Sequence, residues 1–263
     1  MSIENNPLIK PSSHKYGAIP FNEIKLEHFI PALEYAINKA EESLEEVKNN
    51  SNTPNFDNTA LPMETCSELM ESISLIYFNL MSAESDNDFK EIAQQISPKL
   101  SEFSNNIHLN SKLFEKVKYL YENMDCEDLS LEQKRLISES YKGFTLNGAL
   151  LNDSDKEKIR NIDSEMSKLS PKFSQNNLNA TNSYTYFTEN ESDLSGLPEM
   201  VIAQAAETAE KKGKQSGWMF TLQTPSYMPV MQYANNRKLR ELLSSEYGKL
   251  SNGGEYDNRE IIK

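Results

Sequence analysis

Residues 31–47 read Pro31-Ala32-Leu33-Glu34-Tyr35-Ala36-Ile37-Asn38-Lys39-Ala40-Glu41-Glu42-Ser43-Leu44-Glu45-Glu46-Val47, and this stretch decides the fold class. Apolar side chains recur at Leu33, Ile37, Ala40, Leu44 and Val47, in steps of four and three that line one face of an α-helix. Pro31 suits a first helical turn, where its missing N–H has no partner to lose. On a helix with so clean a stripe, the carboxylate pairs Glu41-Glu42 and Glu45-Glu46 read as a solvated face rather than as an acid–base pair.

The same rhythm continues on either side. Upstream, a Pro-, Ser- and Asn-rich arm runs to about Lys25; downstream, Asn49 to Asn58 is a polar loop. A second helix is expected through Met63, Cys66, Leu69, Met70, Ile73, Ile76, Tyr77 and Leu80, its broad apolar face implying contacts on more than one side. A third passes through Phe89, Ile92, Ile96, Leu100, Phe103 and Ile107. Pro98 lies in its middle, where a proline costs about 3 kcal/mol and should bend or break the helix. Asn110 or Ser111 can cap a fourth helix (Leu113 to Met124), and Ser130 with Gln133 forms a capping box that opens a fifth. Ser154 or Asp153 is expected to cap a sixth, interrupted by Pro171.

Near Thr181 the rhythm changes. Tyr184 to Phe187 and Trp218 to Leu222 are aromatic and β-branched and predict short strands. Between them, Pro198 to Lys212 reads as a helix ended by Gly213, and Pro225 to Tyr247 returns to helix. Ser251 to Gly254 is a loop before a last helix that has only begun at Lys263. The expected fold is mainly α: a multi-helix bundle with a small β-hairpin or sheet fragment near 184–187 and 218–222. Its expected division is into residues 1–180, an arm and helical bundle, and 181–263, short strands with helices.

Composition narrows the function. The 263 residues carry 40 acidic and 27 basic side chains, a net charge of −13, which repels a nucleic-acid backbone. No run approaches the roughly 20 apolar residues needed to cross a bilayer, and the N-terminus lacks the basic start and apolar run of a signal peptide. The cytoplasm is the expected location, with neither nucleic acid nor membrane as partner. Cys66 and Cys126 stand sixty positions apart with no C-x-x-C, so they read as free thiols.

A series of short stretches begins with Asn6-Pro7-Leu8, Ile19-Pro20-Phe21, Ile24-Lys25 and Glu27-His28-Phe29-Ile30-Pro31-Ala32. Phe78-Asn79-Leu80-Met81-Ser82-Ala83 and Ile96-Ser97-Pro98-Lys99-Leu100 follow, then Phe173-Ser174-Gln175-Asn176 and Leu194-Ser195-Gly196-Leu197-Pro198. The last are Trp218 to Leu222, Pro225 to Met231, and Asn236-Arg237-Lys238-Leu239-Arg240. No single stretch is specific. In order and spacing over nearly the whole chain, they together resemble the thimet-oligopeptidase family of zinc metallopeptidases, most closely its bacterial peptidyl-dipeptidase branch. The resemblance implies the N-terminal helical half of an oligopeptidase, one wall of a deep channel, with a catalytic half elsewhere. It also implies zinc in a longer parent and release of dipeptides from short peptide substrates, with a glutamate as general base.

The chain itself has no place for that zinc. His14, His28 and His108 are far apart and none opens the His-Glu-x-x-His spacing that puts two imidazoles on one helical face. No catalytic or metal residue is therefore assigned, and the isolated chain is expected to be inactive. The three histidines read as surface or structural groups, with His28 helping a turn. Candidates to face the channel are Asn79, Ser82 and Glu84, polar groups near the end of an apolar helix, together with Tyr227 and Arg237. Against these roles stand plainer ones: backbone satisfaction at a helix end, packing at the junction between the halves for Tyr227, and an ion pair for Arg237. Trp218 reads as core. The rival function is a stand-alone acidic helical module that binds a protein partner.

Overall fold

The stripe that begins at Leu33 belongs to α1 (Phe29–Asn49), entered by one turn of 3-10 helix, Leu26–His28. The computed structural model describes residues 3–84, 87–126 and 128–263, the side chains of Glu84 and Asn87 excepted. After α1 come α2 (Leu61–Thr65), α3 (Glu68–Glu84), α4 (Asn87–His108), α5 (Ser111–Asn123) and α6 (Leu131–Leu146). Then follow α7 (Asp153–Ser183), β1 (Thr185–Thr188), α8 (Glu199–Lys211), β2 (Trp218–Thr221), α9 (Thr224–Tyr233), α10 (Arg237–Tyr247) and a short α11 (Arg259–Ile262). The architecture is mainly α with a small two-stranded antiparallel sheet, as the sequence predicts. Contacts divide the chain into two compact units, Met1–Pro171 and Lys172–Lys263, the division falling within α7.

In the first unit, α1 buries Phe29, Leu33, Ala36 and Ala40. These join Ile73 and Tyr77 of α3, Ile96 and Phe103 of α4, and Leu113 and Val117 of α5 in one core. Each large side chain so enclosed contributes about 1.5–3 kcal/mol relative to exposure. At its centre the Phe29 and Tyr77 rings meet edge to face at 5.2 Å, and Phe89 stacks on Tyr77 at 5.9 Å. The Tyr77 hydroxyl donates to the Phe89 carbonyl, and burial pushes its pKa up to about 12. The N-terminal arm is pinned to this core. Buried Asn6 donates from Nδ2 to the His28 carbonyl at 2.8 Å, and buried Leu8 sits in the same cluster.

Asparagine and serine side chains decide several helix starts. Asn110 Oδ1 accepts from the Lys112 and Leu113 N–H groups at 3.0 and 3.1 Å, and Ser130 with Gln133 closes the expected box. For α7 the cap lies earlier than Asp153 or Ser154: Asn152 Oδ1 accepts from the Asp155 N–H at 3.0 Å. The expected single helix from Met63 is two, α2 and α3, preceded by a wide helical turn, Phe56–Ala60, that occupies the end of the expected loop. Reciprocal bonds at 2.9 Å between Asn55 and Asn58 start that turn. Helix α4 continues across Pro98, and α7 across Pro171. A proline removes one backbone bond; around Pro98, buried Ile96 and Phe103 keep the helix docked on the core.

In the second unit, β1 and β2 pair antiparallel with Thr185 opposite Thr221 and Thr188 opposite Trp218. Phe220 and Leu222 are buried with Val201 and Ala205 of α8, Val230 of α9, and Leu239 and Leu243 of α10. Trp218, expected in the core, is half-buried beside it. Gly213, with φ of +80°, ends α8 as expected. The helix expected from Pro225 to Tyr247 is broken at Ala234–Asn236, where Asn236 Oδ1 caps α10 through the Lys238 and Leu239 N–H groups. Gly196, with φ of +86°, lets the chain approach residues 233–235, where Asn235 N–H donates to the Ser195 carbonyl at 2.8 Å.

Candidate functional site

Two of the candidate polar groups of α3, Asn79 and Ser82, lie on its exposed side. Asn79 lines a groove of 470 Å³ between the arm and α3, together with Ile19, Phe21, Leu75, Ile76 and two glutamates, Glu68 and Glu71. The residues Glu68, Ser72, Leu75 and Asn79 follow one another at helical spacings of four, three and four, so one file of α3 forms the groove wall. Leu75 is 73% exposed and Phe21 48% exposed. Ser82 Oγ donates to the Phe78 carbonyl at 2.9 Å, the backbone-satisfying role expected of a hydroxyl near a helix end. The Glu84 side chain lies outside the described residues.

Sequence reading passed over Leu75, Ile19 and Phe21 as groove residues. A signal was present: Leu75 is a large apolar residue off the apolar stripe of its own helix.

In the second unit, the Tyr227 ring stacks on Tyr247 at 4.4 Å with the planes 14° apart and packs on the core of that unit. Among the described residues no carboxylate lies within ion-pair range of Arg237, which as first residue of α10 is turned out to solvent. A cation in the first helical turn opposes the helix dipole, so this exposed charge brings the fold no local gain. The structure thus brings Asn79 and Ser82 onto one helix end, and it places Tyr227 and Arg237 on neighbouring helices α9 and α10.

Two features of the second unit carry no sequence signal. Asp193 is buried and accepts from Thr188 Oγ1 at 2.7 Å, Asn236 Nδ2 at 2.7 Å and Tyr186 OH at 3.3 Å. Burial first, then this carboxylate, raises the Tyr186 pKa. Asn258 is buried as well, accepting from Asn176 Nδ2 at 2.9 Å and donating to the Phe173 carbonyl at 3.0 Å. Both tie loops to helices.

The histidines do not assemble a ligand set. His28 is buried, and its Nδ1 accepts from the Lys25 N–H at 3.0 Å, fixing the entry to α1. His14 lies on the arm, 3.8 Å from Glu23, and His108 bonds Ser104 and packs on Phe144 at 5.3 Å. Among the described residues no three His, Cys, Asp or Glu side chains converge as a metal site, so the donors present do not fit zinc. The thiols are free; burial raises the Cys66 pKa to about 11 and its thiol donates to the Met63 carbonyl. The acidic face of α1 borders a groove of 890 Å³, and Glu42 pairs with Lys39 at 2.7 Å on the surface. Among the described residues no helix is long and apolar enough to cross a membrane.

Residues 32–156, which hold α1 from its fourth residue, α2 to α6 and the first turn of α7, match the model of the neurolysin/thimet oligopeptidase N-terminal domain. The chain carries the N-terminal domain of the thimet-oligopeptidase family. Its similarity to members extends well past the matched domain. Oligopeptidase A of Haemophilus influenzae is 32% identical over 98% of this chain and 38% of its own length. Dipeptidyl carboxypeptidase of Escherichia coli is 28% identical over 98% of this chain and 38% of its own. Probable cytosolic oligopeptidase A of Arabidopsis thaliana is 27% identical over 99% and 37%. The chain thus spans a little over a third of the length of these relatives, and the alignments run through both units.

Proposed function

We propose that this chain is the N-terminal, channel-wall portion of a zinc-dependent oligopeptidase or peptidyl-dipeptidase that hydrolyses short peptides in the cytoplasm. The observation that carries the reading is the alignment of 98% of the chain with proteins named oligopeptidase A and dipeptidyl carboxypeptidase. In this reading the zinc and its ligands belong to a catalytic half outside these residues; in support, no three donors converge among the described residues. Its own helices would dock on that half and limit the size of peptide admitted. Asn79, Ser82, Glu84, Tyr227 and Arg237 are the candidates to meet substrate. Of these, Arg237 and Asn79 have the best claim: both are exposed, and Arg237 has no ion-pair partner among the described residues.

The test is a chimera in which this chain replaces the aligned region of the Haemophilus influenzae oligopeptidase A. It should bind zinc, cleave short peptides and lose that activity to a chelator. A chimera that folds and holds zinc but leaves short peptides intact would overturn the proposal. So would metal-dependent cleavage by the 263-residue chain alone.

A further inference from the structure

We propose that the groove between the N-terminal arm and α3 is a docking site for a short peptide that carries an apolar side chain beside a lysine or arginine. The class of ligand rests on the peptide-handling reading above; the choice of side chains rests on the groove.

Three observations fix that choice. Its wall is apolar and open: Leu75, Phe21 and Ile19 are 73%, 48% and 41% exposed, side by side around a space of 470 Å³. Apolar surface left in water at three adjacent positions has a standing driving force for cover, and an aliphatic or aromatic side chain matches it in kind. Next, Glu68 and Glu71 stand on the rim, and among the described residues neither has a cation within ion-pair range. That sets them apart from Glu34, paired with Lys99 at 2.8 Å, and Glu42, paired with Lys39 at 2.7 Å. Among the described residues Glu71 accepts only from the neutral Ser67 hydroxyl, and carboxylates without a cation on a chain of net charge −13 select a cationic neighbour and repel an anionic one. Last, the arm wall has a defined local shape: the Phe21 N–H donates to the Ile19 carbonyl at 2.9 Å and the Glu23 N–H to the Pro20 carbonyl at 2.8 Å, and Ile24 just beyond packs on the core of the first unit. Asn79 adds an amide at one end, suited to a peptide backbone.

Fluorescence anisotropy with the full chain and three labelled probes tests this: Gly-Leu-Arg-Gly, Gly-Leu-Glu-Gly and Gly-Ser-Arg-Gly. The first should bind about fivefold tighter than either of the others at low salt. Its advantage over the Glu peptide should shrink toward parity at about 0.5 M salt, while its advantage over the Ser peptide persists. Leu75→Ser, at a site that fills no core, should weaken the Leu-Arg probe to the level of the Ser-Arg probe with an unchanged circular-dichroism spectrum. The double variant Glu68→Gln, Glu71→Gln should bind the Leu-Arg and Leu-Glu probes alike. Equal binding of all three probes, or full binding by Leu75→Ser, sinks the proposal. Sedimentation as a dimer that Leu75→Ser dissociates also sinks it, for the groove then holds a second copy. Failed selectivity beside an active chimera removes the groove alone, whereas selective binding beside a dead chimera removes the peptidase reading.

Discussion

Asp193→Ala should cost the second unit about 3–5 kcal/mol. The carboxylate is 6% exposed and holds two short bonds, to Thr188 Oγ1 and Asn236 Nδ2 at 2.7 Å each, plus a longer one to Tyr186. A bond to a charged acceptor is worth about 1.5–3 kcal/mol, and truncation leaves both donors without a partner. A second loss follows through Asn236, whose amide orientation depends on Asp193 while its Oδ1 starts α10; a disturbed cap adds about 1 kcal/mol. The half-exposed Tyr186 hydroxyl turns to water and adds little. Against a typical domain stability of about 5–15 kcal/mol the total is large.

Urea unfolding followed by the fluorescence of Trp218, the only tryptophan, reads this unit directly. The midpoint should fall with the slope unchanged. Asp193→Asn, which keeps an acceptor oxygen but turns an amide toward another donor, should lie between the two. The same alanine variant should bring the Tyr186 pKa back toward its ordinary value, since a nearby negative charge is gone. A loss under about 1 kcal/mol, with Tyr186 unmoved, would refute the view that this carboxylate anchors the hairpin to α10.

Gly196→Ala should destabilise the second unit by about 1–3 kcal/mol, because the position has a φ of +86° and a Cβ there collides with the Tyr233 carbonyl oxygen; chemical denaturation would measure it. Asp257 has its pKa lowered from 3.8 to about 2, chiefly by the Arg259 side chain. A depressed carboxylate stabilises the fold above its unfolded pKa, and the gain disappears as pH falls through the folded value. The turn before α11 should therefore loosen between about pH 4 and pH 2, and Asp257→Asn should abolish that part of the acid dependence in an NMR titration of the neighbouring amides.

Periodicity and capping chemistry made most of this fold legible. Leu33, Ile37, Ala40, Leu44 and Val47 report α1 because one face of it meets the core, and the Ser130-Gln133 box marks α6 to the residue. Breaks were harder to read. Whether Pro98 ends a helix depends on how firmly Ile96 and Phe103 are held by neighbours distant in sequence. The break between α9 and α10 depends on Asp193, more than forty positions from Asn236, and no local pattern encodes that. The candidate groove shows the same limit. Asn79 drew notice as a polar residue at a helix end, yet what surrounds it comes from an arm sixty residues earlier. For Arg237 an ion pair is the natural expectation because helices usually supply a partner carboxylate, yet among the described residues none stands within range.

The heavy use of asparagine has a bearing on how this protein ages. Deamidation turns the side-chain amide into a carboxylate. Where Oδ1 only accepts backbone N–H groups, as at Asn110, the change keeps the acceptor and adds a negative charge at the positive end of α5, so the helix start survives or gains. At Asn236 the same conversion faces one carboxylate with another at Asp193, and at Asn258 it replaces a donor to the Phe173 carbonyl with a second acceptor. Chemical wear would thus spare caps such as Asn110 and act where an asparagine amide donates: at Asn236 and Asn258 in the second unit, and at Asn6, which pins the arm, in the first.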